Sequence, residues 1–266
     1  MIGVFDSGIG GLTVVRAMLD LLPEYDITYL GDTARTPYGS KSAETIIKYS
    51  LNNTDFLVRR GAQLIVIACN TASSYARESV QAHYAQEGVP VFEVIGPGAD
   101  LAVQRSRKLR IGVIGTSGTI TSGVYREKIH AIRPEAQVFM TPCPLLVPLV
   151  EEGWLQRRET TMIIRKYLRP LKDKQIDTLI LGCTHYPVLR RIIQKKIGTS
   201  VVLVDSAEAI ALQVRAFLDS ERGRVVSRSD SKGSCRIFVT DTAEQFQKIA
   251  RLIIKKPVEI EHADLF

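Results

Sequence analysis

Two cysteines stand at the ends of two apolar runs in this sequence. Residues 64–73 read LIVIACNTAS, and residues 178–187 read TLILGCTHYP. Each run is typical of a strand buried in a parallel sheet, and each ends abruptly in a thiol followed by polar residues. Open α/β folds bind their ligands at the carboxyl ends of such strands. The sequence therefore predicts an α/β protein in which Cys69 and Cys183 mark a ligand site.

Strands and amphipathic stretches alternate along the chain, a pattern that indicates parallel sheets. In the first half, the predicted strands besides the Cys69 run are residues 2–5, 27–30 and 89–95, and the predicted helices are residues 12–22, 43–60 and 73–87. We interpret Gly96-Pro97-Gly98 as a linker, because glycine and proline favour loops. The carboxyl-terminal part predicts a helix at 207–218, an exposed loop at 219–234, a strand at 236–240 and a helix at 242–254.

The second half of the chain repeats the first. Residues 111–119 (IGVIGTSGT) echo residues 2–10 (IGVFDSGIG) at an offset of 109, and Cys183 follows Cys69 at an offset of 114. Matched strands at a nearly constant offset indicate two copies of one unit. We predict two similar parallel-sheet α/β domains related by pseudo-two-fold symmetry, with the active site in the cleft between them. The predicted domains are residues 1–96 with 208–266, and residues 97–207.

The composition is that of a globular chain, since 45% of its 266 residues are hydrophobic and 24% are charged. The net charge is +7, but lysine and arginine are scattered, so we expect no nucleic-acid partner. No apolar run approaches the length of a membrane span, and the first residues do not resemble a signal peptide. Four cysteines do not form a disulfide framework. We therefore expect a cytoplasmic protein with reduced thiols and no membrane attachment.

Opposed thiols suit the inversion of a carbon stereocentre. In a two-fold arrangement, Cys69 and Cys183 approach a bound molecule from opposite sides. One thiolate then removes the α-proton, and the other thiol returns a proton to the opposite face. We expect each cysteine to lie just before a helix, whose amino-terminal dipole favours the thiolate.

Two other roles are open to the cysteines. Free cysteine is commonly a small buried hydrophobe, which is our interpretation of Cys143 and Cys235. A zinc site made by Cys69, Cys183 and His185 lacks the paired Cys-x-x-Cys spacing of such sites.

The loops after the first strand of each half suit the two charged ends of an α-amino acid. Residues 6–11 (DSGIGG) resemble a phosphate loop, but the third glycine of a dinucleotide site is missing. Asp6 places a carboxylate there, which repels phosphate and favours an ammonium group. The equivalent loop of the second half carries Thr116, Ser117 and Thr119, whose hydroxyls suit a carboxylate.

Four segments of the chain resemble the signature segments of the glutamate racemase family. They are DSGIGGLTV at 6–14, GDTARTPYG at 31–39, ACNTA at 68–72 and LGCTHYP at 181–187. The segments occur in the family's order, and the resemblance extends from end to end of the chain. It implies an isomerase that interconverts L- and D-glutamate without pyridoxal phosphate or any other cofactor. It further implies a cytoplasmic homodimer that supplies D-glutamate for peptidoglycan synthesis and cell-wall biogenesis.

The resemblance also implies roles for individual residues. Cys69 would deprotonate D-glutamate with help from Asp6, and Cys183 would deprotonate L-glutamate with help from His185. Glu151 matches a further family carboxylate at the cleft. The residues expected to contact substrate are Asp6, Ser7, Tyr38, Gly39, Ser40, Asn70, Thr71, Thr116, Thr119, Thr184 and His185, with no metal ligand among them.

Simpler interpretations of these residues stay open. Asp6 and His185 would then be satisfied polar groups at strand ends, Glu151 part of a solvated helix turn, and Tyr38 turn packing. Three rival functions also stay open: racemisation of aspartate or a similar acidic amino acid, amino-acid binding without catalysis, and phosphate-ester hydrolysis with Asp6 as nucleophile. Binding proteins of this shape are typically exported, and the hydrolase favours a second aspartate where Gly8 stands.

Overall fold

The computed structural model describes residues 1–229, 232–241, 244–255 and 259–265. The strands within these residues are β1 (Ile2–Asp6), β2 (Ile27–Gly31), β3 (Leu64–Ile67), β4 (Val91–Glu93), β5 (Arg110–Gly115), β6 (Gln137–Pro142), β7 (Thr178–Gly182), β8 (Val202–Asp205), β9 (Cys235–Val239) and β10 (Ile260–His262). The α-helices are α1 (Leu12–Leu21), α2 (Ala43–Arg59), α3 (Asn70–His83), α4 (Ile95–Arg105), α5 (Ser117–Ser122), α6 (Val124–Ile132), α7 (Leu146–Glu151), α8 (Arg158–Asp173), α9 (Arg190–Ile197), α10 (Ser206–Leu218) and α11 (Glu244–Ile254).

Two parallel sheets form the cores of two α/β domains. The larger sheet has the strand order β10-β9-β2-β1-β3-β4, and the smaller has the order β6-β5-β7-β8. The order β2-β1-β3-β4 in the first sheet therefore matches the order β6-β5-β7-β8 in the second. The match confirms the predicted fold class and the internal repeat.

The strands are almost continuously apolar because helices cover both faces of each sheet. Along β3, Leu64 and Val66 belong to an apolar cluster on one face, whereas Ile65 and Ile67 belong to the cluster on the other. All four residues are fully buried. This double burial explains why the run before Cys69 lacks the alternation of a half-exposed strand.

The strand register brings equivalent loops together at the carboxyl edge of each sheet. In the first sheet, β1 pairs with β3, so Asp6 at the end of β1 lies beside the chain that leads to Cys69. In the second sheet, β5 pairs with β7 in the register Gly115↔Gly182. Thr116 and Cys183 follow those glycines and are therefore neighbours at the carboxyl edge of the second sheet.

The carboxyl-terminal part of the chain packs on the first domain. Strand β9 pairs with β2, and α11 contributes Phe246 and Ile249 to the apolar cluster around α1. The predicted loop at 219–234 contains a 3₁₀ turn at Glu221–Val225 and the buried Val226. Of the helix predicted at 242–254, residues 242 and 243 lie outside the described residues. The exact domain boundaries stay a prediction.

The interpretation of Gly96-Pro97-Gly98 as a linker is wrong, because these residues form the first turn of α4. The first backbone N–H groups of a helix have no partner inside it, so proline is tolerated there. Glu93 accepts hydrogen bonds from the backbone N of Ile95 and, at 2.9 Å, of Gly96. The predicted strand at 89–95 is consequently shorter and ends at Glu93. In the described ranges, no helix combines the length and apolarity needed to cross a membrane.

Candidate active site

Cys69 lies at the junction between β3 and α3, where the apolar run gives way to polar residues. It is the N-cap residue of α3, and its Sγ accepts a hydrogen bond from the backbone N of Ala72 at 3.5 Å. The thiol also lies 3.7 Å from Oγ of Ser7, to which it donates. The side chain is buried. Cys69 thus sits at the carboxyl edge of the first sheet, as the sequence predicts.

The pKa of Cys69 is raised to about 12, chiefly by burial and secondly by the nearby Asp6 carboxylate. The hydrogen bonds with Ala72 and Ser7 act in the opposite direction and are outweighed. The amino-terminal end of α3 favours the thiolate through the Ala72 N–H, but burial and Asp6 outweigh this effect. At neutral pH, Cys69 is a neutral thiol with a proton to give.

Asp6 is fully buried at the end of β1 and connects the two domains. Its Oδ2 accepts hydrogen bonds from the backbone N of Gly8 at 3.1 Å and of Gly11 at 3.0 Å. Its Oδ1 accepts from Oγ1 of Thr184, in the second domain, at 3.1 Å. Burial raises the pKa of Asp6, while His185 and these hydrogen bonds oppose that rise. The carboxylate is therefore held in place beside Cys69.

Cys183 is the first member of a chain of polar contacts that leads to the protein surface. Its Sγ lies 3.7 Å from Nδ1 of His185, and Nε2 of His185 lies 3.1 Å from Oε1 of Glu151. Glu151 ends α7 and also accepts a hydrogen bond from Thr36 at 3.4 Å. A 3₁₀ turn at Tyr186–Leu189 follows Cys183 and leads directly into α9, so the helical segment predicted after this cysteine starts in 3₁₀ rather than α-helical form.

The surroundings of the His185 imidazole favour its protonated, positively charged form. Burial lowers its pKa, but the hydrogen bonds with Cys183 and Glu151 outweigh burial and raise the pKa well above the ordinary value. A protonated His185 places a cation 3.7 Å from the sulfur of Cys183. Cys69, in contrast, lies near the carboxylate of Asp6. The two thiols therefore have opposite electrostatic surroundings.

The structure brings the two thiols into one site. Thr184, the residue after Cys183, donates to Asp6, and Asp6 lies close enough to Cys69 to raise its pKa. A Cβ atom added to Gly10 would lie 2.5 Å from Nδ1 of His185 and 2.4 Å from Oγ1 of Thr184. Only glycine permits this close approach of the first domain to the Cys183 loop.

Three threonine hydroxyls form a cluster where the domains meet. Oγ1 of Thr71 lies 2.9 Å from Oγ1 of Thr116 and 3.2 Å from that of Thr119, and the last two lie 3.1 Å apart. A Cβ added to Gly39 would lie 2.5 Å from Cβ of Thr116, so the loop around Gly39 borders the cluster. Rotatable hydroxyls that now bond one another can turn toward a carboxylate.

The Asp/Glu/Hydantoin racemase family matches residues 2–214 of this sequence. The chain belongs to that family. As a member, it is 48% identical over 254 residues to the glutamate racemase of Syntrophus aciditrophicus, covering 93% of this chain and 90% of the relative. It is 45% identical over 264 residues to that of Persephonella marina, covering 99% and 97%.

Solved glutamate racemases share the fold of this racemase. The crystal structure of an isoform from Bacillus anthracis matches with a TM-score of 0.93 and 35% identity, covering 100% of this chain and 97% of that one. The enzyme from Francisella tularensis, in complex with D-glutamate, matches with a TM-score of 0.90 and 35% identity, covering 99% and 97%. The chain is thus a racemase, an isomerase.

The side-chain amide of Asn70 in this racemase is buried and has two ends with different surroundings. Its Oδ1 accepts a hydrogen bond from the hydroxyl of Tyr125 at 2.7 Å. Its Nδ2 is buried and has no hydrogen-bond partner among the residues that the structure describes. Tyr125 was not singled out from the sequence, because nothing in a lone tyrosine on a helix indicates a contact with the other domain.

The hydroxyl of Tyr38 is engaged inside the first domain. It donates to Asp32 and accepts a hydrogen bond from Nδ2 of Asn53 at 3.0 Å. Asp32 also accepts from Nε of Arg35. The side chain of Tyr38 therefore anchors this loop within the first domain. Ser40 itself is exposed.

The remaining predicted residues differ in how deeply their side chains are buried. Glu151 is 28% exposed at its side chain and marks the outer end of the site. Across the described parts of the chain, no group of three His, Cys, Asp or Glu side chains is arranged to hold a metal ion. The buried members of the site are Asp6, Ser7, Cys69, Asn70, Thr71, Thr116, Thr119, Cys183, Thr184 and His185.

Proposed function

We propose that this racemase interconverts L- and D-glutamate without a cofactor, using Cys69 and Cys183 as its two bases. The observation that carries the proposal is the presence of two thiols in one buried site, each after an equivalent strand of a repeated domain. Each thiol has its own ionisable neighbour, Asp6 for Cys69 and His185 for Cys183. Two-base chemistry requires such a pair.

The surroundings of the thiols suggest their roles in the conversion of L-glutamate. The sulfur of Cys183, beside the cationic His185, removes the α-proton of L-glutamate. The electron pair of the broken C–H bond delocalises into the α-carboxylate. Cys69, a neutral thiol, then delivers its proton to the opposite face of the carbon. The roles are exchanged when D-glutamate is the substrate.

The charge that develops on the α-carboxylate needs donors placed around it. The hydroxyls of Thr71, Thr116 and Thr119 and the unpartnered Nδ2 of Asn70 supply them. Donors preorganised in a buried site stabilise such charge strongly. Asp6 accepts a hydrogen bond from Thr184 at the junction of the domains. The negative charge of Asp6 there balances the positive charge of the substrate ammonium group.

The choice of glutamate rests on the relatives, since curated relatives and solved structures at 35% to 48% identity are glutamate racemases. We extend the proposal to a cytoplasmic homodimer that supplies D-glutamate for peptidoglycan, on the same resemblance. Aspartate is the main rival substrate, because it differs from glutamate by one methylene only.

A direct assay tests the proposed activity. The purified protein, without pyridoxal phosphate, is incubated separately with L-glutamate and L-aspartate, and the enantiomers are separated by chiral chromatography. We expect D-glutamate to form at least about 100-fold faster than D-aspartate, since a misplaced carboxylate leaves buried donors unpaired. Faster conversion of aspartate, or no D-glutamate, would overturn the proposal.

A further inference from the structure

The side chain of Tyr125 contacts a residue adjacent to each of the two cysteines. It lies near the start of α6, in the second domain, and is fully buried. A Cβ added to Gly182, the residue before Cys183, would lie 3.1 Å from Cε2 of its ring. Its hydroxyl reaches into the first domain and donates to Oδ1 of Asn70, the residue after Cys69, at 2.7 Å. One side chain therefore spans the two equivalent strand ends.

The hydrogen bonding of the Tyr125 hydroxyl determines which side-chain atom of Asn70 faces it. A phenol has one proton to donate and lone pairs that accept. Burial raises the pKa of Tyr125 well above its ordinary value, so the phenol keeps its proton. That proton is donated to Asn70, which therefore presents its oxygen to Tyr125.

The other end of the same amide is left without a partner. Nδ2 of Asn70 is buried and makes no hydrogen bond among the described residues. A buried donor left unpaired is destabilising, so its retention indicates that a ligand binds there. Asn70 lies between Cys69 and Thr71, both part of the proposed site. The orientation of this amide therefore determines whether the site offers a donor or an acceptor.

We propose that Tyr125 is a positioning residue that holds the Asn70 amide with Nδ2 turned toward the substrate carboxylate. The inference rests on the proposed racemisation of glutamate. Without the phenol hydroxyl, the amide is free to turn by 180° about its last side-chain bond. It would then present its oxygen to a carboxylate, which repels it.

The variant Tyr125→Phe removes the hydroxyl and keeps the ring that packs against Gly182. We expect kcat/KM for glutamate to fall about 10-fold, mainly through a higher KM, because one hydrogen bond to a charged group is lost in binding. The control is Tyr84→Phe, which removes a buried hydroxyl bonded to Asp55 at the far end of α3. Its kcat/KM should equal that of the wild type. Thermal unfolding of each variant shows whether it folds.

A double variant separates positioning from packing. If Tyr125 acts through Asn70, then Tyr125→Phe should cause no further loss of kcat/KM in an Asn70→Ala background. If Tyr125 acts only by packing, the two losses should multiply. Multiplying losses, or a wild-type kcat/KM in Tyr125→Phe, would overturn the proposal.

A measurement without turnover distinguishes this inference from the proposed function. The side-chain amide signals of Asn70 in a ¹⁵N-labelled sample are assigned by their absence in Asn70→Ala. We expect them to shift or broaden in Tyr125→Phe and to be unchanged in Tyr84→Phe. Unchanged signals in Tyr125→Phe would overturn the positioning role. If the wild type does not racemise glutamate but the Asn70 signals shift in Tyr125→Phe, the proposed function alone is overturned.

Discussion

Thr184 donates a hydrogen bond to Asp6 across the boundary between the two domains, with 3.1 Å between Oγ1 and Oδ1. Thr184 follows Cys183, and Asp6 ends the strand beside the one that leads to Cys69. This single contact therefore ties together the two sheet edges that carry the thiols. Because Asp6 also raises the pKa of Cys69, the junction of the domains and the acidity of one thiol depend on the same carboxylate.

Replacing Asp6 with Asn should make Cys69 easier to ionise. The amide oxygen can still accept from Gly8 and Gly11 while its NH2 group donates to the Thr184 hydroxyl, and the negative charge near the sulfur is removed. Loss of a neighbouring negative charge lowers the pKa of a thiol by about one unit or more. We therefore expect alkylation of Cys69 by iodoacetamide at pH 9 to accelerate about tenfold. Peptide mass spectrometry measures the rate, with Cys235 as the internal control. An unchanged rate would show that burial alone raises the pKa of Cys69.

Cys69→Ala and Cys183→Ala should each abolish full racemisation. Removing a positioned acid or base costs about 10²- to 10⁴-fold in rate, and each direction of the reaction needs both thiols. The matched control is Cys235→Ala, which removes a thiol from β9 outside the site and should retain wild-type turnover. Chiral chromatography measures the rate. Wild-type turnover in either of the first two variants would assign a structural role to that cysteine.

Glu151→Gln should destabilise the protein most at mildly acidic pH. The raised pKa of His185 means that the folded state binds its proton more tightly than the unfolded chain. This contribution to stability is complete below the unfolded pKa, about 6.5. It disappears as the pH rises through the folded pKa.

The comparison of wild type and Glu151→Gln is made by urea denaturation at pH 6 and at pH 9. We expect the variant to be about 1–2 kcal/mol less stable at pH 6, the value of a partly exposed charged hydrogen bond. The difference should be smaller at pH 9. A difference that grows with pH would contradict a protonated His185 in the folded protein.

Thr116→Val should raise the KM for glutamate about 10-fold, because a hydroxyl near the substrate carboxylate is lost. Steady-state rates measure this effect. Thr178→Val is a matched control, since the buried Oγ1 of Thr178 has no hydrogen-bond partner among the described residues. That variant should keep the wild-type KM and unfold at the same or a higher temperature. An unchanged KM in Thr116→Val would exclude this threonine from substrate binding.

The sequence predicted those parts of the fold that depend on strong local signals. The runs before Cys69 and Cys183 are apolar at every position because both sheet faces are covered, so their strands were recognisable. Strand β6 (Gln137–Pro142) was not predicted, because it lies at an edge of the smaller sheet and is mostly half-exposed. The first turn of α4 was mistaken for a linker, because Gly96-Pro97-Gly98 suits a loop unless Glu93 caps it.

The site was predicted as a set of residues but not as a set of contacts. Asp6, Cys69, Cys183 and His185 follow strand ends, and parallel strands bring such ends together. The neutral state of Cys69 follows from burial, which local sequence does not show. The link from Asn70 to Tyr125 joins residues 55 positions apart in different domains, and only the packing of those domains creates it.

The two-cysteine mechanism is tested most directly by following the α-hydrogen in heavy water. Wild-type protein is given L-glutamate, and both enantiomers are analysed early in the reaction by mass spectrometry. If Cys183 removes the proton and Cys69 supplies another from the opposite face, the first D-glutamate formed carries deuterium while the remaining L-glutamate does not. First-formed D-glutamate that retains the original hydrogen, or deuterium that enters L-glutamate as fast as D-glutamate, would contradict the mechanism.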